Sequence, residues 1–297
     1  MIDAWLNLPL PLMLLAVTTF YCGSALCIYA LCFGPRTRNW ILSFRETVPE
    51  LFSAIMVIFS IQLGFLTSDI WDINRRAATA VETESASLTM LRALAADSGL
   101  PIDGIHQAIR VYVTAVTEKE WPSMAQYGGG VPEAEEALGA LLRTVASTHH
   151  DPNDANAKFD ALLLDTALKV QSARAARLVL SAPFSESTKW ACVLLLALAG
   201  QISIALLHLD KRRPHVAAMV ILTSSIVLII GLVAANEGPF QPPIYVSSDP
   251  IAKVGEVVLD PRAASPPPLI PSEAKTVEKA PPPEPVHRHA GGGGKKR

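Results

Sequence analysis

Residues 190–236 read WACVLLLALAGQISIALLHLDKRRPHVAAMVILTSSIVLIIGLVAAN. Two stretches without charged side chains, Trp190 to Leu209 and Pro214 to Asn236, flank the short basic segment Asp210-Lys211-Arg212-Arg213. Each stretch has the length of roughly 17–25 residues that a helix needs to cross a bilayer core of about 30 Å. The segment therefore predicts a pair of transmembrane helices joined by a short loop.

The N-terminal part of the chain has the same arrangement. Residues 8–33 and 51–68 contain no Asp, Glu, Lys or Arg, and the segment between them contains three arginines. Both runs reach the length of a membrane span. We therefore expect four transmembrane helices within residues 1–68 and 189–236, in two pairs that flank a long polar segment.

The overall composition agrees with a membrane protein and argues against other classes. Half of the 297 residues belong to the apolar set AVILMFWYC, only 18% are charged, and the formal net charge is −2. A soluble domain is about 25% charged, and a nucleic-acid-binding domain is strongly basic. We therefore expect the lipid bilayer, and no nucleic acid, among the partners of the chain.

The long polar segment, residues 69–188, has the pattern of a helical domain. Its apolar side chains recur every three or four residues over 102–116, 138–145 and 159–170, which is typical of amphipathic helices. Residues 71–96 contain no Gly or Pro, so the second span can continue into the domain as one long helix. The predicted fold class is all-α.

Residues 237–297 form a tail of different composition. Twelve of the 23 prolines lie in residues 241–297, and the chain ends in four glycines followed by Lys-Lys-Arg. Proline runs such as 266–268 and 281–283 cannot build a packed core and favour extended conformations. We expect a disordered tail, which is either a tether or a docking segment for a protein partner.

The basic residues predict an orientation in the cell membrane. Arg36, Arg38 and Arg45 follow the first span, and Lys211-Arg212-Arg213 separate the third span from the fourth. Because short loops rich in Lys and Arg stay in the cytoplasm, the central domain and the tail are expected outside it. Five basic residues that flank the spans on the other side count against this orientation: Arg75, Arg76, Arg174, Arg177 and Lys189.

The second span carries a row of small and hydroxyl side chains at helical spacing, formed by Ser53, Ser60, Gly64 and Thr67. Such a row lets two helices approach closely in lipid. It can instead line a water-filled pore, where hydroxyl groups replace part of the hydration shell of an ion. The sequence alone leaves both interpretations open.

No motif in the chain indicates an enzyme. The sequence contains no Gly-rich phosphate loop, no G-x-S-x-G elbow and no HExxH. The acidic pairs Glu82/Glu84 and Glu118/Glu120 are two positions apart, so their side chains point in different directions on a helix. The loop pair His149-His150 is the best candidate metal ligand, but such histidines are usually only solvated. We therefore expect no catalytic residue, no cofactor and no metal site.

One segment of the central domain resembles a known family. Glu118-Lys119-Glu120-Trp121-Pro122 resembles the E-x-E-W-P signature of the bacterial bestrophin-like domain family, whose members are multi-pass membrane proteins of unknown function. Four other segments are also similar to positions of that family: residues 64–71, 81–85, 174–183 and 238–240. The resemblance covers about residues 8–250. We expect Pro122 to end its helix and Trp121 to pack against a neighbouring helix of the domain.

The resemblance implies two pairs of membrane helices around a helical domain and, by the name of the family, an analogy to the bestrophin anion channels. It therefore implies a self-associating, anion-conducting oligomer. The alternative is a non-conducting, membrane-anchored interaction or scaffold protein that uses its helical domain and its Pro-rich tail. Bestrophins hold their large domain in the cytoplasm, which conflicts with the orientation that the basic loops predict.

Overall fold

The computed structural model describes residue 5 and residues 8–44, 49–98, 102–147, 157–182, 187–242 and 244–259. These residues form helices and turns, and no strand is present among them. The predicted all-α fold class is therefore confirmed. The prediction of a disordered tail from residue 237 onward is wrong for its first part, because the helix Asp249–Leu259 packs on the central domain with Ile251 and Val254 buried. The tail beyond residue 259 lies outside the described residues.

The α-helices of the described residues are α1 (Leu10–Phe33), α2 (Arg38–Ile41), α3 (Pro49–Asp97), α4 (Ile102–Ala115), α5 (Trp121–Tyr127), α6 (Pro132–Ser147), α7 (Lys158–Ser181), α8 (Ser187–Leu207), α9 (Arg212–Ala234) and α10 (Asp249–Leu259). A short 3₁₀ segment, Leu42–Phe44, follows α2, and a π-helical turn, Val116–Glu120, joins α4 to α5.

Four of these helices are long and apolar enough to cross a membrane: α1, the N-terminal part of α3, α8 and α9. Helix α8 contacts the three others, and α1 packs against α9. The contacts between these helices are made by buried apolar side chains such as Tyr21, Phe59, Trp190 and Ile226. The chain is therefore an integral membrane protein in which α3 lies on one side of α8, and α1 and α9 pair with each other.

Helix α3 connects the membrane to the central domain without interruption. It is 49 residues long, which corresponds to about 74 Å at 1.5 Å per residue. The prediction that the second span continues into the domain is confirmed. Because no Gly or Pro interrupts residues 71–96, the backbone hydrogen bonds continue past the membrane end of the span.

The central domain is a helical bundle around the C-terminal half of α3. Helices α4, α7 and α10 pack on this half, and α6 packs on α4 and α7. The buried apolar side chains of these helices form one cluster. The periodic segments of the sequence correspond to α4, α6 and α7, as predicted. Their positions three and four apart are the buried ones, for example Leu138, Leu141 and Val145 on α6.

The prediction that Pro122 ends its helix is wrong. The chain stays helical from Ile102 to Tyr127, because the π-helical turn precedes the proline. In this turn the Trp121 N–H donates to the Val116 carbonyl. Pro122 therefore enters the first turn of α5, where a missing N–H costs little. The helical path ends at Gly128, whose φ of 66° is in the left-handed region.

Candidate functional site

The predicted row of the second span lies on the side of α3 that no other helix of the described residues covers, which we call the free face. Ser53, Ser60 and Gly64 are exposed, and Thr67 is partly buried. A Cβ atom added at Gly64 would meet no atom within 4 Å. In the membrane, α3 packs mainly against α8. Within one chain, three of the four residues are therefore not packed against another helix.

The exposed face of α3 continues beyond the row. Trp71 lies seven residues after Gly64, which is about two helical turns, so it shares the same face. Its side chain is 61% exposed. Beside the row, Ile58, Ile61 and Phe65 are exposed as well. The free face thus has a small, polar edge and an apolar edge.

Close approach between the membrane helices uses other glycines. A Cβ atom at Gly231 of α9 would lie 2.5 Å from Leu14 Cδ2 of α1. A Cβ atom at Gly200 of α8 would lie 2.8 Å from Met56 Sδ of α3. Small residues at these two positions let the backbones approach, as expected for helix pairs in lipid.

A buried amide also links three membrane helices. Gln201 of α8 donates from Nε2 to the Tyr21 carbonyl of α1 (3.1 Å) and to Thr223 Oγ1 of α9 (2.8 Å). Ser24 Oγ of α1 donates to Gln201 Oε1 (2.6 Å). The polar atoms of Gln201 are thus satisfied inside the bundle, where lipid could not satisfy them.

A group of buried charges lies inside the central domain. Arg177 of α7 is fully buried and forms ion pairs with two buried glutamates. Its Nε donates to Glu84 Oε2 of α3 at 2.7 Å, and its Nη2 donates to Glu120 Oε1 of the π-helical turn at 2.8 Å. One arginine therefore connects three segments that are far apart in the sequence.

A second arginine balances the charge of this group. Arg174, one turn before Arg177 on α7, is 6% exposed and donates from Nη2 to Glu120 Oε2 at 2.5 Å. It also contacts the exposed Glu135 of α6 at 3.3 Å. Two buried arginines face two buried glutamates, so the group is close to neutral, as a buried set of charges must be.

The electrostatics of this group favour its charged form. Burial lowers the pKa of Arg177, but the charge and hydrogen bonds of Glu84 outweigh this effect and raise the pKa above its usual value. Tyr112 of α4 donates its hydroxyl to Glu84 Oε1 at 2.6 Å. Burial, followed by the Glu84 charge, raises the pKa of Tyr112 well above its usual value. The tyrosine therefore stays neutral and serves as a donor.

The chain segment after α9 attaches the domain to the membrane helices. Asn74 Nδ2 of α3 donates to the Asn236 carbonyl at 2.7 Å, and Trp190 Nε1 of α8 donates to Glu237 Oε1 at 3.0 Å. The Phe240 ring then meets the Trp121 ring edge-on at 5.5 Å between centroids. The guanidinium of Arg177 lies 5.0 Å from the centroid of the same Trp121 ring.

Comparison with known proteins identifies the family. The family model of the Bestrophin-like domain matches residues 19–251. The chain belongs to the bestrophin-like family. This bestrophin-like chain is also similar to a solved crystal structure of a membrane protein, with a TM-score of 0.60 and 12% sequence identity. The similarity covers 83% of this chain and 97% of the other, and it concerns the fold. No curated protein matches the chain significantly.

The structure gives different roles to the four signature residues of the bestrophin-like chain. Glu120 and Trp121 are buried in the ion-pair group and against Phe240, as described. Glu118 and Pro122 are exposed. The packing predicted for Trp121 is therefore confirmed, although its contacts include the segment after α9 as well as Arg177 of α7.

The sequence did not predict the ion-pair group. The two acidic pairs of the sequence, Glu82/Glu84 and Glu118/Glu120, were the signal for this group. In each pair the second glutamate is buried and the first is exposed. Two residues on one helix two positions apart do not meet, but the buried members of the two pairs meet at Arg177. Arg174 and Arg177 flank the third span in the sequence, but in the structure they belong to the core of the domain.

The described residues contain no group of three or more His, Cys, Asp or Glu side chains that could hold a metal ion. His149 and His150, the candidate ligands from the sequence, lie outside the described residues. Cys22, Cys27, Cys32 and Cys192 are free thiols, and three of the four are exposed.

Proposed function

We propose that the protein is an ion channel assembled from several copies of the chain, that it conducts anions, and that the row formed by Ser53, Ser60, Gly64 and Thr67 lines its pore. The observation that carries this proposal is the exposed row on a membrane-spanning helix. The Ser60 hydroxyl donates to the Met56 carbonyl of its own helix at 2.8 Å, and its oxygen can still accept a hydrogen bond. Lipid offers no donor for it, whereas a water-filled pore does.

The arrangement of the spans supports an axial position for α3. Its buried side, with Phe59 and Leu66, packs within the bundle, and α1 and α9 lie with each other rather than along the free face of α3. The apolar edge with Ile58, Ile61 and Phe65 gives a neighbouring copy a surface to pack on. The polar edge then faces the axis.

The charges next to the row support an anion as the permeant ion. The row has no acidic side chain between Glu50 and Asp69. Beyond the membrane, Arg75 and Arg76 share one carboxylate, Asp72, at 2.8 Å and 2.6 Å. A hydrogen bond from Arg75, followed by the charge of Arg76, lowers the pKa of Asp72. The carboxylate stays ionised, and each copy contributes one net positive charge near the mouth.

We also propose that the central domain is extracytoplasmic. Lys211, Arg212 and Arg213 are all exposed at the end of α9 that lies opposite the domain, which agrees with a cytoplasmic loop. Of the five basic residues that count against this orientation, Arg174 and Arg177 are buried in ion pairs of the domain core, so we do not count them as membrane anchors.

Flux measurements with the full-length protein in liposomes test this function. We expect chloride flux, a loss of flux in Ser60→Leu, and no loss in the control variant Ser225→Leu. Ser225 is an exposed serine on α9, so the control places the same side chain on a lipid-facing span.

Three outcomes of the flux measurements would contradict different parts of the proposal. Potassium flux without chloride flux would show that the anion assignment is wrong. Equal flux in both variants would show that α3 does not line the pore. An intact oligomer without flux would favour the alternative, a non-conducting scaffold protein. The Pro-rich tail on which that alternative depends lies largely outside the described residues.

A further inference from the structure

A long apolar groove runs between α1 and α9. It has a volume of about 710 Å³, and Thr18, Cys22, Leu26 and Tyr29 of α1 form one wall. The wall on α9 extends from His215 to Leu228. The volume falls within the range of about 300–1,000 Å³ that is usual for small-molecule sites. The groove lies entirely within membrane-spanning helices, so its natural occupant is apolar and comes from the bilayer.

The length of the groove corresponds to one leaflet. From Thr18 to Tyr29 the wall rises by about 17 Å at 1.5 Å per residue. Half of a hydrocarbon core of about 30 Å is about 15 Å. An extended acyl chain of one leaflet therefore fits along the groove, with its polar end at Tyr29 and His215.

Two guanidinium groups lie at that polar end. Tyr29 and His215 both contact the Phe33 ring, with centroids 5.1 Å and 5.0 Å away. The guanidinium carbons of Arg38 and Arg212 lie 5.7 Å and 5.5 Å from the centroid of the same ring. Neither arginine forms an ion pair with a carboxylate among the described residues. Two positive charges thus lie beside the end of an apolar groove.

His215 completes the polar end. It is fully buried, and neither ring nitrogen has a hydrogen-bond partner within the described part of the chain. Because the ring is fully buried against Phe33, it closes this end of the groove by packing.

We propose that this groove binds an anionic phospholipid. One acyl chain lies between α1 and α9, and the phosphate contacts Arg38 and Arg212. Charge complementarity selects the lipid, because a zwitterionic headgroup brings a cation to the same two arginines. The site does not depend on the proposed pore, since α1 and α9 lie away from the free face of α3.

Native mass spectrometry of the full-length protein tests the site. The protein is reconstituted in nanodiscs of phosphatidylcholine with a minor fraction of phosphatidylglycerol, and the lipids retained after release are counted. We expect retained phosphatidylglycerol to fall about fivefold in Arg38→Gln and in Arg212→Gln, the loss expected for one basic side chain at an anionic lipid surface. Arg213→Gln, the adjacent exposed arginine, is the control and should retain the lipid.

A second pair of variants tests the groove itself. Val220→Trp fills it from α9, whereas Ile221→Trp adds the same side chain one position outside it; the two residues are 60% and 67% exposed. We expect loss of phosphatidylglycerol in the first variant and none in the second. Equal counts of phosphatidylglycerol in all variants would show that the retained lipid is non-specific annular lipid, and would overturn the proposal.

Two further outcomes also overturn it. A change of oligomer mass in Val220→Trp without a change in lipid count would show that a second copy of the chain occupies the groove. Retention of inorganic phosphate by the wild type but not by Arg38→Gln or Arg212→Gln, in nanodiscs that contain only phosphatidylcholine, would show that the two arginines bind a free anion.

Discussion

Glu120 and Arg177 are 57 positions apart in the chain and form a buried ion pair of 2.8 Å. The same guanidinium also donates from Nε to Glu84 Oε2 of α3 at 2.7 Å. Since α3 also crosses the membrane, the ion pair connects the helix of the proposed pore to α7 and to the π-helical turn. The relative position of these three segments therefore depends on charges that are removed from water.

The first prediction concerns the cost of breaking this pair. Glu120→Gln removes the negative charge that faces both Arg174 and Arg177, so Glu84 is then the one buried carboxylate that balances the two buried guanidinium groups. We expect a loss of about 3–5 kcal/mol in the free energy of unfolding of the domain, as for other broken buried pairs. Thermal unfolding in detergent, followed by tryptophan fluorescence, measures the loss.

Glu118→Gln is the matched control for this experiment. Glu118 is a neighbour in the sequence but is exposed, so its loss should change the stability by less than about 0.5 kcal/mol. Equal stability of the two variants would show that the buried pair does not stabilise the domain.

The sequence predicted those features of the fold that depend on local composition. Charge-free runs show where the spans lie, and the period of apolar residues shows where α4, α6 and α7 lie, because lipid and the domain core each select apolar side chains. The continuity of α3 was predicted for the same reason, since it depends only on the absence of Gly and Pro.

The features that the sequence did not predict depend on long-range contacts. Arg174 and Arg177 look like membrane anchors in the sequence, and only the packing of α7 on α3 brings them to Glu84 and Glu120. Pro122 looks like a helix end, and only the preceding π-helical turn keeps the chain helical. The exposure of the row on α3 likewise depends on which face α8 covers.

The second prediction compares a glycine packed between two membrane helices, Gly231, with a glycine on the free face of α3, Gly64. Gly231→Leu places a side chain where even a Cβ atom would lie 2.5 Å from Leu14, so overpacking should cost about 1–3 kcal/mol. Gly64→Leu meets nothing within the chain. We expect it to leave the stability of the monomer unchanged and to abolish flux in liposomes. Lower thermal stability in Gly64→Leu, with normal flux, would contradict a pore at α3.

The third prediction concerns Trp71. It lies on the same face of α3 as Ser53 and Gly64, and it is the largest exposed side chain on that face near the domain. If the face lines the pore, its indole narrows the pore at the end of the span. We expect Trp71→Ala to increase single-channel conductance in planar bilayers. Trp40→Ala, which removes an exposed indole from α2, should have no effect.

The fourth prediction is a pH dependence of stability. Burial, followed by the positive charges of Arg92 and Arg110, lowers the pKa of His106 on α4. The unfolded chain binds a proton at about pH 6.5, whereas the folded domain resists it. The neutral His106 therefore contributes to the stability of the domain above that pH. This stability is lost as the pH falls from about 6.5 to the lower pKa that His106 has in the folded domain. Between about pH 7.5 and about pH 5.5, the melting temperature of the wild type should fall more than that of His106→Gln. Parallel curves for the two proteins would contradict the prediction.

The last prediction tests the orientation. In a background without the four native cysteines, Ala93→Cys places a thiol on an exposed position of the domain, and Lys211→Cys places one in the short loop before α9. A membrane-impermeant maleimide added to intact spheroplasts should label Ala93→Cys, because basic short loops keep the other side cytoplasmic. Lys211→Cys should be labelled only after the membrane is opened. The reverse pattern would place the domain in the cytoplasm and would show that, in this protein, the basic loops do not determine the orientation.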